Sequence, residues 1–144
     1  MPELSFSFKT PVIQDKLFKT ITDFENLSSY LPDQLQKIEI IEKTSNSVIT
    51  EETIFLKTLL KKTIKQKSIH QLSSNKIQTE IISGPGKGTK IILIFESDGS
   101  GTKLEINTNL KLGLKYKILT PLIKKYYPVV LTGILYKIIN SITN

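Results

Sequence analysis

Apolar and polar residues alternate along this chain at two distinct periods. Near the N-terminus Leu4, Phe6 and Phe8 alternate with Ser5, Ser7 and Lys9. This is the period of a half-buried strand, whose successive side chains point to opposite faces. The period then lengthens: Val12, Ile13, Leu17, Phe18 and Ile21 recur at helical spacing and share one face. Thr10 is expected as the N-cap of that helix and Pro11 as its first residue. A hydroxyl there takes a free helix N–H, and proline has no N–H to leave unpaired. The helix should stop near Asp23-Phe24. A short second helix over Glu25 to Tyr30 should end before Pro32, because proline disfavours helical geometry at the residue before it.

Six further strands are expected over 37–43, 47–57, 62–72, 76–82, 89–97 and 102–112; period two is clearest in 76–82 and 102–112, 62–72 is polar, and 89–97 is apolar at both parities. Thr44-Ser45-Asn46, Ser73-Ser74-Asn75, Gly84-Pro85-Gly86-Lys87-Gly88 and Asp98-Gly99-Ser100-Gly101 are turn sequences between them. From Thr120-Pro121 onwards Leu122, Ile123, Tyr126, Tyr127, Val130, Leu131, Ile134, Leu135, Ile138 and Ile139 form one broad stripe on a long helix. Pro128 lies inside it and should kink or break it, since it cannot donate to the carbonyl of Lys124. Strands this close in sequence, with no helix between them, must pair antiparallel. The terminal helix must bury its stripe against their sheet. The expected class is α+β: a curved antiparallel sheet of about seven strands, two short helices after the first strand, and a long C-terminal helix. Its 144 residues suit a single domain spanning 1–144.

Three stretches bear a family likeness. Phe6-Ser7-Phe8-Lys9-Thr10-Pro11 leads into Leu17-Phe18. Ile21-Thr22-Asp23-Phe24-Glu25-Asn26-Leu27 runs on to Tyr30-Leu31-Pro32. Gly99-Ser100-Gly101-Thr102-Lys103-Leu104 forms a hairpin before the last strand. In this order, with the terminal helix, they resemble the START/Bet v 1 superfamily of polyketide cyclase/dehydrase and lipid-transport proteins, also termed SRPBCC. The resemblance implies the helix-grip fold, a sheet wrapped around the C-terminal helix. It also implies a space between the two for a lipid, an isoprenoid or quinone, or a polyketide-like molecule. Members include binding proteins, transfer proteins and cyclases, so the fold leaves the activity open.

Composition removes several chemistries. Without cysteine there is no disulfide, thiolate metal site or cysteine nucleophile. A single histidine, His70, leaves no histidine-rich metal site and argues against a Ser-His-Asp triad. No metal or cofactor is expected. The net charge of +7 is all lysine. Lysine lacks the planar fork that reads phosphate or guanine bidentately, so specific nucleic-acid binding is not expected, while weak attraction to an anionic membrane surface is. Gly84 to Gly88 is not a phosphate loop, because a strand rather than a helix should follow it. The N-terminus has no secretory pattern, and the apolar run Pro128 to Tyr136 falls short of the ~20 residues that span a bilayer. A cytoplasmic protein is expected.

Strand parity predicts the lining of the interior. Leu104, Ile106, Thr108, Leu110 and Leu112 should face the terminal helix, as should Ile91, Leu93 and Phe95 in the strand before and Ile77, Thr79 and Ile81 in the one before that. Ile92 and Ile94 are then left on the outer face, where a second copy of the chain or another partner would cover them, as in a protein–protein interaction module without ligand. Lys65 and Lys67 mark the outer face of the 62–72 strand, turning Ile64, Gln66, Ser68, His70 and Leu72 inwards. The neighbouring strand turns in Val48, Thr50, Glu52, Ile54 and Leu56. Among otherwise apolar residues this leaves a polar strip of Thr50, Glu52, Gln66, Ser68 and His70. An apolar space with a few placed polar groups is the usual form of a small-molecule site; a solvent-open end of the sheet would carry the same residues. From the helix, Tyr126, Tyr127 and Val130 should complete the lining near Pro128. If the protein is an enzyme of the cyclase or hydratase kind, Glu52 and His70 are the acid–base candidates.

Overall fold

The computed structural model describes residues 3–30, 35–56 and 62–143. Seven strands form one sheet: β1 (Glu3–Thr10), β2 (Leu35–Lys43), β3 (Ser47–Leu56), β4 (Lys62–Leu72), β5 (Lys76–Ser83), β6 (Lys90–Asp98) and β7 (Gly101–Asn109). Their spatial order is β1-β7-β6-β5-β4-β3-β2, and every neighbouring pair is antiparallel. The order follows from the connections. Short turns let β2 to β7 pair only with their sequence neighbours, and β1 closes beside β7. Bulges interrupt the β2–β3 and β4–β5 ladders, and such extra residues bend a strand. Ile41 is one of them and turns to solvent.

The helices α1 (Gln14–Ile21) and α3 (Thr120–Thr143) close the inner face, with α2 (Leu27–Tyr30) following a 3-10 turn at Phe24–Asn26. The main core joins Leu17 of α1, Ile77, Phe95, Leu104 and Ile106 of the sheet, and Leu135 and Ile139 of α3. Phe18 meets Phe95 edge to face at 5.2 Å. Each such fully buried side chain contributes ~1.5–3 kcal/mol. A smaller cluster joins Phe24, Ile38 and Val48. Outside, β-ladder register sets Glu51 opposite Lys67, Glu80 opposite Lys90 and Glu96 opposite Lys103, a solvated face of paired charges.

The stretch Gly99 to Thr102 serves the scaffold. Gly99 takes φ 62° in the two-residue turn between the paired Asp98 and Gly101. A Cβ on Gly101 would run into the carbonyl of Thr10, so only glycine lets the end of β1 lie there. Thr102 Oγ1 then donates to the carbonyl of Val12 at 2.7 Å. These contacts fix the passage from β1 into α1.

Several boundaries differ from expectation. Thr10 is the last residue of β1, and α1 begins at Gln14 with Ile13 as its N-cap, 57% exposed and off the buried face. The hydroxyl of Thr10 still accepts an N–H, that of Val12 at 3.2 Å, but in the bend before the helix. The ladder holds Thr10 opposite Thr102, and that pairing outweighs the local capping signal. β7 ends at Asn109 rather than Leu112, and a 3-10 helix not foreseen in the sequence covers Leu114–Leu119. α3 continues through Pro128 without a break. Its stripe meets the main core through Leu131, Leu135 and Ile139, joined by Ile142 further on, whereas Leu122 near its start is exposed; Val129, off the stripe, is 68% exposed. On the outer face Ile92 and Ile94 are half-buried among cross-strand neighbours. The expected stop before Pro32 lies outside the described residues.

Candidate functional site

Three adjacent strands bring the polar strip together. Register sets Val48 opposite His70, Thr50 opposite Ser68 and Glu52 opposite Gln66 across β3 and β4, and His70 opposite Thr79 across β4 and β5. Thr50, Glu52, Ser68 and His70 are all buried, so the strip is not a solvent-open end of the sheet. One row of hydrogen bonds links it. Thr50 Oγ1 donates to Glu52 Oε1 at 3.1 Å and lies 2.8 Å from His70 Nε2. His70 Nδ1 lies 2.8 Å from Thr79 Oγ1. Thr50 has one hydroxyl proton, and with that proton on Glu52, His70 Nε2–H must donate to Thr50. His70 Nδ1 then accepts from Thr79.

The row sets the charge of its members. Burial holds the His70 imidazole down at about 4, since a desolvated ring favours its neutral form. Phe24, from the turn after α1, stacks on that ring with centroids 4.3 Å apart. Burial pushes the Glu52 carboxyl up to about 6, opposed by the Ser68 and Thr50 hydroxyls. At neutral pH the histidine is uncharged and the glutamate mostly ionised. The two are 4.0 Å apart with the Thr50 hydroxyl bonded to both, so the expected acid–base pair is brought together without direct contact. Glu52 Oε2 is buried and has no hydrogen-bond partner among the described residues.

The apolar candidates divide. Phe95 and Ile106 are core positions, Phe95 wholly closed off under Phe18. Ile91 and Leu93 are half-buried beside that core. Ile54 and Gln66 are half-buried, as is Ile64, the partner of Ile54 across the ladder. The side chains of Leu56, Tyr126, Tyr127 and Val130 lie outside the described ones. A Cβ on Gly84, which opens the β5–β6 turn, would touch Gln66, so that turn stands at the same end of the sheet. There an open groove of about 530 Å³ runs between Pro85 and Lys87 of the turn and Lys111, Leu112 and Leu114 beyond β7. Thr89 Oγ1 braces it, donating to the Lys111 carbonyl and accepting from the Lys111 N–H, both at 2.9 Å. A strand follows the turn, so Gly84 to Gly88 is a hairpin connection.

No protein-family model and no curated protein matches this chain. Solved structures do. A Thermus thermophilus protein superposes with TM-score 0.82 at 15% identity over 96% of this chain and 95% of that one. A START superfamily protein of Mycobacterium smegmatis does so with TM-score 0.79 at 12% identity over 96% and 95%. The Zhui aromatase/cyclase of Streptomyces sp. R1128 gives 0.77 at 11% identity over 95% and 93%. The fold is the START/Bet v 1-like helix grip. At these identities the likeness is one of architecture.

Within this START-like frame two members of the polar site were not singled out in the sequence. Thr79 was among the inward positions of β5, and only the ladder shows that it meets His70. Phe24 had no such signal: its ring reaches His70 from a connection far away in sequence.

Proposed function

We propose that this START-like chain, read as one domain, binds a small and mostly apolar ligand between the sheet and the first half of α3. A lipid, an isoprenoid or quinone, or a polyketide-like molecule fits that description. What carries the reading is the uneven cover of the inner face. Beneath α1 and the second half of α3 lies the closed core of Leu17, Phe95, Leu104, Ile106, Leu135 and Ile139, with Ile91 and Leu93 half-buried beside it, while away from that core Ile54, Ile64 and Gln66 turn inwards and are only half-buried. Apolar burial would supply most of the affinity, at roughly 25 cal/mol per Å² removed from water. Native mass spectrometry of the purified protein should find a co-purified lipophile. A lipid panel should raise the melting temperature, as any ligand specific to the folded state does. No bound mass and no shift with any member would overturn the reading.

A cyclase or hydratase is the second reading, favoured by the aromatase/cyclase among the structural neighbours. It rests on Glu52, because both ring nitrogens of His70 are engaged by threonine hydroxyls. Weak contact with an anionic membrane suits the groove end. Leu114 and Ile118 are 86% and 83% exposed there, with exposed Lys87, Lys111 and Lys117, and no Asp or Glu follows Glu105 in the chain. A homodimer through Ile92 and Ile94 has less support, since both are already half-buried. Among the described residues no helix is long and apolar enough to cross a membrane.

A further inference from the structure

Glu52 marks a boundary. Towards the start of β3 lies the buried row of Thr50, Ser68 and His70; opposite Glu52 and beyond it towards the end of β3 lie the half-buried Gln66, Ile54 and Ile64. Its Oε1 belongs to the row through Thr50. Its Oε2 is buried without a partner among the described residues, in a residue only 7% exposed. A buried carboxylate oxygen left unpaired carries a desolvation cost, and buried polar atoms nearly always find a partner. Thr50 donates to Oε1, and His70 is used at both nitrogens; the Ser68 hydroxyl also favours the ionised carboxyl, yet Oε2 itself keeps no partner among the described residues.

We propose that Glu52 Oε2 is the anchor for a hydroxyl group on an otherwise apolar ligand. This rests on the ligand-binding reading above and narrows it. An ionised carboxylate only accepts, so it suits a hydroxyl donor. A quinone carbonyl would set acceptor against acceptor. A fatty-acid carboxylate would set like charge against like charge where little water screens them. The row behind Glu52 serves the same end. The neutral imidazole passes a hydrogen bond to Thr50 and Thr50 to Oε1, so that one carboxylate oxygen is held by the row and the other is left without a partner among the described residues. The ligand class is therefore alcohols and phenols on an apolar frame.

The test is a titration at pH 7.5, by calorimetry or displacement of a fluorescent apolar dye, with 2-naphthol, 2-methylnaphthalene and 2-naphthoate. The three share one frame and differ in a single group. For the wild-type chain, 2-naphthol should bind at least about tenfold more tightly than 2-methylnaphthalene, the worth of a hydrogen bond to a charged group. 2-Naphthoate should bind more weakly than either. In Glu52→Gln the naphthol preference should fall to within about threefold while 2-methylnaphthalene is held as before. Thr50→Val should give a smaller loss of preference by freeing the carboxylate to turn. Equal wild-type affinities for naphthol and methylnaphthalene, or a preference for naphthoate, would overturn the anchor and leave apolar binding standing. An unchanged preference in Glu52→Gln would do the same. No binding of any of the three would overturn both.

Discussion

The inner face of the sheet has two ends built on opposite principles. At one end Leu17, Phe95, Leu104, Ile106, Leu135 and Ile139 close on one another, and α1 and the second half of α3 leave them dry. At the other, Thr50, Glu52, Ser68 and His70 are just as buried but polar, and beyond them Ile54, Ile64 and Gln66 stay half-open. The first end contributes stability through burial. The second gives some up, since one carboxylate oxygen has no partner among the described residues. On the proposed ligand-binding reading, this difference within one sheet separates a structural end from a working end, because natural folds tolerate unfavourable groups mainly where function needs them.

Mutation should separate the two ends. Phe95→Ala removes a wholly buried ring and should cost ~3–5 kcal/mol in denaturant unfolding. Ile64→Ala, at a half-buried site, should cost about 1 kcal/mol or less and act chiefly on ligand uptake. Equal costs would show that the two ends are packed alike. Gly101→Ala forces the Thr10 carbonyl aside and should cost ~1–3 kcal/mol with apolar ligand binding unchanged in the remaining folded protein.

Glu52→Gln should behave unlike a core mutation. Its carboxyl is raised from 4.5 to about 6, so the folded state holds a proton that the unfolded state releases between those values. That group makes stability fall as pH rises from 4.5 to about 6, with no further change above. His70 acts in the opposite sense. Lowered from 6.5 to about 4, it is neutral in the fold where the unfolded chain would charge it. Its contribution is absent below about 4 and rises with pH up to 6.5. The two slopes oppose each other between 4.5 and 6, so the wild-type melting temperature should change little there. Glu52→Gln should turn that plateau into a rise with pH, and His70→Gln should turn it into a fall. At pH 8 Glu52→Gln should be no less stable than wild type and up to ~2 kcal/mol more stable. A plateau that survives both substitutions would show that the polar end does not titrate as a buried unit.

The smallest effect on stability is expected at the groove end. Ile118→Asp lies at a largely exposed position and should change unfolding by less than ~0.5 kcal/mol. Sedimentation with phosphatidylserine vesicles should nevertheless show weaker association than wild type. Wild-type protein that never sediments with such vesicles would remove the membrane contact.

Much of this was legible along the chain. Period-two alternation over Lys76 to Ile82 and Thr102 to Leu112 and turn sequences such as Asp98-Gly99-Ser100-Gly101 determine the hairpins, because a strand side chain can face only two ways and a two-residue turn allows only one register. The same alternation determined that Glu52, Gln66, Ser68 and His70 face inwards. Only the tertiary structure decided what they meet there. The bond from Thr50 to His70, the support of Thr79, and the ring of Phe24 over the imidazole depend on ladder register and on a connection distant in sequence. That the stripe of α3 is seated at Leu135 and Ile139 and exposed at Leu122 was likewise beyond the sequence: helical spacing fixes which residues share a face, whereas how far the sheet reaches along that face depends on its curvature and bulges.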